Sequence, residues 1–117
     1  MTIEEFAQTF DFCFVGYAEG RKCSGGLQVH HIVRGSDRKH GEDDHPATWI
    51  RTCEWCHEHR LDGMQVEQQL AIKMLLDPGN YERVIVNRMR HRADDAISEN
   101  DVARFVATYF FNQRRGW

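Results

Sequence analysis

The chain has 117 residues, with 15 Lys and Arg against 18 Asp and Glu for a net charge of −3, and a chain this long buries about two-thirds of its unfolded surface without covalent staples. The acidic balance argues against a broad non-specific nucleic-acid surface, which normally shows as an excess of basic residues. No run nears the ~20 apolar residues of a membrane span, and the start, MTIEEFAQTF, is acidic with no signal-peptide core. The expected compartment is the cytoplasm, where four cysteines serve as thiols or metal ligands rather than disulfides.

In chain order, residues 2–10 read as a short helix. Thr2 caps it, Glu4 and Glu5 sit in the first turn where the helix dipole favours carboxylates, and Phe6 and Phe10 share a face. The aromatic stretch from Phe10 to Tyr17 holds Cys13. Gly16, Gly20, Gly25 and Gly26 punctuate this region, so it reads as strand and turns rather than helix. Leu27 to Val33 is rich in β-branched residues and reads as a strand, Gly35 to Pro46 as a loop, and Thr48 to Thr52 as a second, antiparallel strand. A helix follows Cys53 and runs to Arg60 or Leu61, with Gly63 as its stop. Val66, Leu70, Met74 and Leu75 make the stripe of a further helix, ended by Asp77-Pro78-Gly79-Asn80, and Tyr81, Val84, Ile85, Arg88 and Met89 suggest another. Ser98 with Asp101 resembles a capping box ahead of a last helix whose apolar face is Val102, Phe105, Val106, Tyr109 and Phe110. The expected fold class is α+β, one domain over residues 1–117. A two-stranded antiparallel hairpin and a helix occupy about 13–63, and a helical part spans about 64–117.

The chemistry concentrates between Leu27 and Gly63. His30 and His31 lie in the first strand, and Cys53-x-x-Cys56-His57, followed by His59, begins the helix. Neutral imidazole binds Mn²⁺, Zn²⁺, Ni²⁺ and, less well, Mg²⁺. Adjacent strand residues point to opposite faces, so His30 and His31 divide into one ligand and one free base. His57 is the natural second ligand, at a helix start where backbone N–H groups also attract phosphate. Cys53 and Cys56 have zinc-knuckle spacing, with Cys13 and Cys23 as the other pair of a structural zinc site; the competing reading makes Cys13 a buried apolar residue in its aromatic cluster. Arg34, Arg38 and Lys39 in the central loop are either a local nucleic-acid-binding face or ordinary solvated surface. His40, His45 and His91 read as loop histidines.

These residues resemble the HNH endonucleases, with their ββα-metal site, and small phage and prophage members most of all. The family pattern has an Asp-His or His-His pair on the first strand, a central Asn near the second, and a His or Asn at the helix. His30-His31 and His57 match the first and last of these. Thr48 stands where the family has its Asn, which there holds the loop and orients the base. The resemblance covers about residues 13–63. It implies a metal-dependent hydrolase of DNA phosphodiester bonds in a bacterial or phage-infected cell. His31 would be the general base that activates water, with Thr48 in the orienting position. His30 and His57 would hold one divalent ion (Mg²⁺, Mn²⁺ or Ni²⁺), and His59 would contact phosphate or complete the shell. Family members with a structural zinc place two cysteines before the His pair and two after, the order seen here. The low net charge fits delivery to DNA by a partner protein.

Two other classes compete. Cys53-Glu54-Trp55-Cys56-His57 is also the attachment motif of a c-type haem, with Met64, Met74 or Met89 as axial ligand. That reading requires export and leaves the His pair and two cysteines unused. A non-catalytic zinc module binding nucleic acid or protein uses the cysteines but not His30 and His31.

Overall fold

The computed structural model describes residues 1–33, 45–90 and 96–114, with side chains described to residue 111. Helix α1 (Ile3–Thr9) starts where expected: the Thr2 hydroxyl accepts from the Glu5 N–H and the Glu5 carboxylate accepts from the Thr2 N–H, both at 3.1 Å. The next segment departs from expectation. Phe14–Glu19 is a helix, α2, rather than strand and turns. Its first turn is capped by the Cys13 sulfur, which accepts from the Gly16 N–H at 3.2 Å, and Gly20 closes it in the left-handed conformation at φ 67°. Gly16 therefore lies inside a helix, where it serves packing rather than a turn.

Strand β1 (Leu27–His31) pairs antiparallel with β2 (Trp49–Cys53), setting His30 opposite Ile50 and His31 opposite Trp49. Both strands differ from expectation by one or two residues at their ends. Pro46–Thr48 forms a 3₁₀ turn, its entry fixed by the Thr48 hydroxyl donating to the His45 carbonyl at 2.9 Å, which delays β2 to Trp49. After β2 the chain turns directly into α3 (Glu54–Cys56), continued by a wider π-helical run, His57–Leu61. Gly63, at φ 86°, lets the chain reverse towards α4 (Val66–Leu76). A second 3₁₀ turn, Pro78–Asn80, leads to α5 (Arg83–Met89), and α6 (Glu99–Arg114) completes the described chain. Ser98 and Asp101 exchange hydrogen bonds of 3.1 and 3.3 Å as the expected box before α6.

The sheet and helices share one core. The Phe6 ring meets Phe14 and Trp49 edge-on, and Leu70, Ala71 and Ile72 of α4 and Val102 of α6 are fully buried. Within it lies an ion pair the α4 stripe did not announce. The buried Lys73 ammonium donates to Asp77 at 2.6 Å and to the Trp49 carbonyl at 2.7 Å, and sits 4.7 Å from the centre of the Phe6 ring. Burial lowers the Lys73 pKa, and Asp77 offsets part of that by favouring the charged form. On α6 the expected apolar face divides: Val102 and Tyr109 face inward, whereas Phe110 is 53% exposed. Among the described residues no helix is long and apolar enough to cross a membrane.

Candidate functional site

Two clusters of ligand-type side chains meet at the junction of the hairpin and α3. The first is Cys13, Cys23, Cys53 and Cys56, whose sulfur atoms all lie within 4.8 Å of one another. A tetrahedral Zn²⁺ with Zn–S bonds of ~2.3 Å sets its sulfurs roughly 3.8 Å apart, so these four can close on one ion with small adjustments. Local backbone prepares them. Cys13 and Cys53 each stand at a helix start with the sulfur accepting the N–H three residues on, Gly16 at 3.2 Å and Cys56 at 3.4 Å. The ten-residue gap to Cys23 is spanned by α2 and a return, and Glu54 N–H to Gly26 carbonyl (3.0 Å) and Trp55 N–H to Ser24 carbonyl (3.2 Å) tie that return to α3. A Cβ on Gly16 would lie 2.3 Å from the Cys23 sulfur, so only glycine admits this approach.

The thiols do not titrate alike. Burial pushes the Cys53 thiol up, but N–H groups of Cys56 and Ser24 aimed at its sulfur outweigh this and bring it down to about 7. Cys23 is exposed as a residue, but partial desolvation of its sulfur among Cys13 and Cys53 raises it to about 12, and burial and the same neighbours raise Cys56. One thiolate thus forms readily, and its charge opposes ionisation of Cys23 and Cys56 until a cation relieves the repulsion. Such a site binds its metal with release of protons.

The second cluster lines an open cleft of about 810 Å³ whose walls include His30, His31, His57, Glu58, Asp62, Glu67, Gln69 and Arg90. The His30 and His57 rings meet edge-on in this cleft, centroids 5.2 Å apart and planes at 63°. His30 Nε2 is 2.9 Å from the Gln69 Oε1. Burial lowers the His30 pKa to about 4, outweighing the Gln69 hydrogen bond, which raises it, and aided by smaller contributions from His57 and His31; this favours the neutral ring, the form in which imidazole binds metal. His31, the last residue of β1, lines the same cleft because the strand ends there. Three carboxylates stand against one guanidinium among the described lining residues. This wall attracts cations and repels a bare phosphate.

Other expected site residues lie elsewhere. Thr48 is fully buried, its hydroxyl spent on the His45 carbonyl and its own carbonyl on the Ile32 N–H at 2.7 Å. It anchors the turn before β2 and does not line the cleft. His59 is exposed, hydrogen-bonded through Nδ1 to the Trp55 carbonyl at 2.9 Å and stacked on the Trp55 ring at 4.5 Å. It borders an adjoining pocket rather than the His30–His57 cleft. The i, i+2 spacing from His57 turns it away. Arg34, Arg38 and Lys39 lie outside the described residues. Gln69 was not singled out from the sequence: beside Val66 and Leu70 it reads as the margin of an apolar stripe, yet it is buried against His30.

No protein-family model matches this chain, and no curated protein or solved structure matches it.

Proposed function

We propose that this protein is a metal-dependent endonuclease of the HNH type that hydrolyses DNA phosphodiester bonds. The observation that carries the reading is the edge-on pair His30 and His57, with His31 in the same cleft, at the junction of an antiparallel hairpin and a helix. His30 and His57 would hold one divalent ion, Mg²⁺, Mn²⁺ or Ni²⁺, and neutral imidazoles over an acidic wall suit it. When bound, that ion supplies Lewis-acid polarisation of the scissile phosphate and neutralises charge at the departing 3′-oxygen. His31 takes the proton of the attacking water as the new P–O bond forms and the bond to the 3′-oxygen breaks; the departing 3′-oxygen takes a proton from solvent water, leaving 5′-phosphate and 3′-hydroxyl ends. A positioned base contributes about 10²–10⁴ in rate, far less than the ~8–23 kcal/mol typical of enzymes, so His31 alone does not suffice. Thr48 keeps only the loop-holding half of the role that the family's Asn plays. The four cysteines would hold a structural Zn²⁺ that fixes α2 and the return after it to the start of α3.

A non-catalytic zinc module that binds nucleic acid or protein remains the second reading, favoured by one observation: the cysteine cluster is complete without any histidine. Attachment of a haem through Cys53 and Cys56 has no comparable support, since both are buried and turned towards Cys13 and Cys23. Mn²⁺ titration of zinc-loaded protein tests the role assignment. His57→Ala is expected to weaken Mn²⁺ binding, whereas His31→Ala keeps it and loses cleavage. Equal metal loss in both variants overturns the division of roles.

A further inference from the structure

Gln69 sits in the first turn of α4 with both ends of its carboxamide engaged. Nε2 is 2.9 Å from the Met64 carbonyl, and Oε1 is 2.9 Å from His30 Nε2. A carbonyl only accepts, so the amide NH₂ must face Met64, and the amide oxygen is left facing the imidazole. That oxygen also only accepts, so His30 Nε2 carries the proton. The neutral ring is then the Nε2–H tautomer, with its lone pair on Nδ1. Met64 is itself pinned, its N–H donating to the Leu61 carbonyl at 3.1 Å across the turn at Gly63. The direction of one backbone carbonyl thus reaches the electronic state of a cleft histidine through a single side chain that is 5% exposed.

We infer that Gln69 is the positioning residue of the His30 site: it locks the Nε2–H tautomer and so makes Nδ1 the atom that His30 presents to a divalent cation. This rests on His30 being a ligand, as argued above, but its first readout does not depend on cleavage. Partners that orient a ligating imidazole typically contribute 10–100-fold to metal affinity.

The test is ¹⁵N NMR of the His30 ring in zinc-loaded protein without other divalent ions, followed by Mn²⁺ titration, on wild type, Gln69→Met and Gln69→Glu. Methionine keeps the length of the side chain and removes the acceptor; glutamate keeps an acceptor oxygen and removes the donor to Met64. Wild type is expected to show a protonated Nε2 and an unprotonated Nδ1, Q69M a mixture of tautomers with Mn²⁺ affinity lowered 10–100-fold, and Q69E the wild-type tautomer. A purely structural role would lower stability in both variants without moving the tautomer. An Nδ1–H ring in wild type, or a Q69M variant with tautomer and Mn²⁺ affinity unchanged, overturns the inference. So does a tautomer shift with no loss of affinity, which also removes His30 as ligand. Should Q69M fail to fold, the wild-type ring and Q69E decide by the same criteria, loss of the Nε2–H form in Q69E counting against. Protein that binds Mn²⁺ and weakens as expected in Q69M, yet cuts no DNA, leaves the Gln69 role standing and removes the nuclease reading.

Discussion

Gly16→Ala acts first on the cysteine cluster, its next approach outside that cluster being 3.3 Å to the Arg21 carbonyl. The added methyl group would lie 2.3 Å from the Cys23 sulfur, where ordinary contact begins at 3.4 Å, so the sulfur has to retreat by about 1.1 Å. Metal–ligand bonds tolerate about 0.2 Å, and a retreat five times larger removes Cys23 from the shell. Cys23 is exposed and its segment has no regular structure, so it gives way in preference to the α2 backbone. Structural zinc contributes roughly 10–16 kcal/mol apparent in small peptides. Losing one of four thiolates therefore costs about 3 kcal/mol, or roughly 100-fold in zinc affinity. The same change in metal-free protein has the opposite sign, because alanine is favoured over glycine inside a helix by up to about 1 kcal/mol. Urea unfolding with zinc and with chelator, beside a competition assay for zinc, reads both terms. Zinc-loaded G16A is expected to be less stable than wild type by the difference of the two, about 2–3 kcal/mol or roughly 10 °C in Tm, and chelated G16A to equal or exceed it. A variant with wild-type zinc affinity would refute the four-sulfur geometry.

Lys73→Met leaves the buried Asp77 carboxylate without its counter-ion, held by the Asn80 amide, and urea unfolding should show a loss of about 3–5 kcal/mol, with Lys73→Met/Asp77→Leu recovering part of it. Glu19 joins α2 to the run after α3 through two bonds to Arg60, at 2.6 and 2.7 Å. Burial raises its pKa, but the Arg60 and Arg21 bonds outweigh this and leave it lowered. Its stabilisation is therefore present above the unfolded carboxylate value and lost as pH falls through the lower folded one, so Glu19→Gln should flatten the stability profile below about pH 4.5. Thr48→Val removes a buried hydroxyl bond, and should reduce stability by about 1 kcal/mol while Mn²⁺ affinity is unchanged. His59→Ala should leave Mn²⁺ affinity at the wild-type value, because its ring stacks on Trp55 outside the cleft; a large loss would restore it to the metal shell.

What the sequence disclosed follows from how local each signal is. The Thr2 cap, the stops at Gly63 and Pro78 and the Ser98–Asp101 pair are set by neighbours three or four residues apart and the strand around His30 by its β-branched run, and the structure has them all, with Glu5 completing at Thr2 a box that the cap alone did not announce. Helix α2 escaped because a glycine inside a helix and a glycine in a turn look alike until the sulfur of Cys23 is seen beside it. The cysteine grouping was legible from count and order, although the gap from Cys13 to Cys23 hid the means of closing it. Gln69 and Lys73 were not legible at all. Asp77 stands four residues from Lys73 and reads as an ordinary surface pair; that the pair is buried follows from the Trp49 carbonyl 24 residues away, as the role of Gln69 follows from His30, 39 residues away. His59 stands apart from His57 for a geometric reason, since residues two apart in a helical run lie on nearly opposite sides of it.

Cleavage of supercoiled plasmid by zinc-loaded protein, with Mg²⁺, Mn²⁺, Ni²⁺ or EDTA and beside His31→Ala purified identically, decides whether the chain hydrolyses DNA with His31 as its base. Conversion to nicked or linear DNA with a divalent ion, abolished by EDTA and absent in H31A, is the predicted result. Intact plasmid under every ion, or equal cutting by H31A, would contradict it.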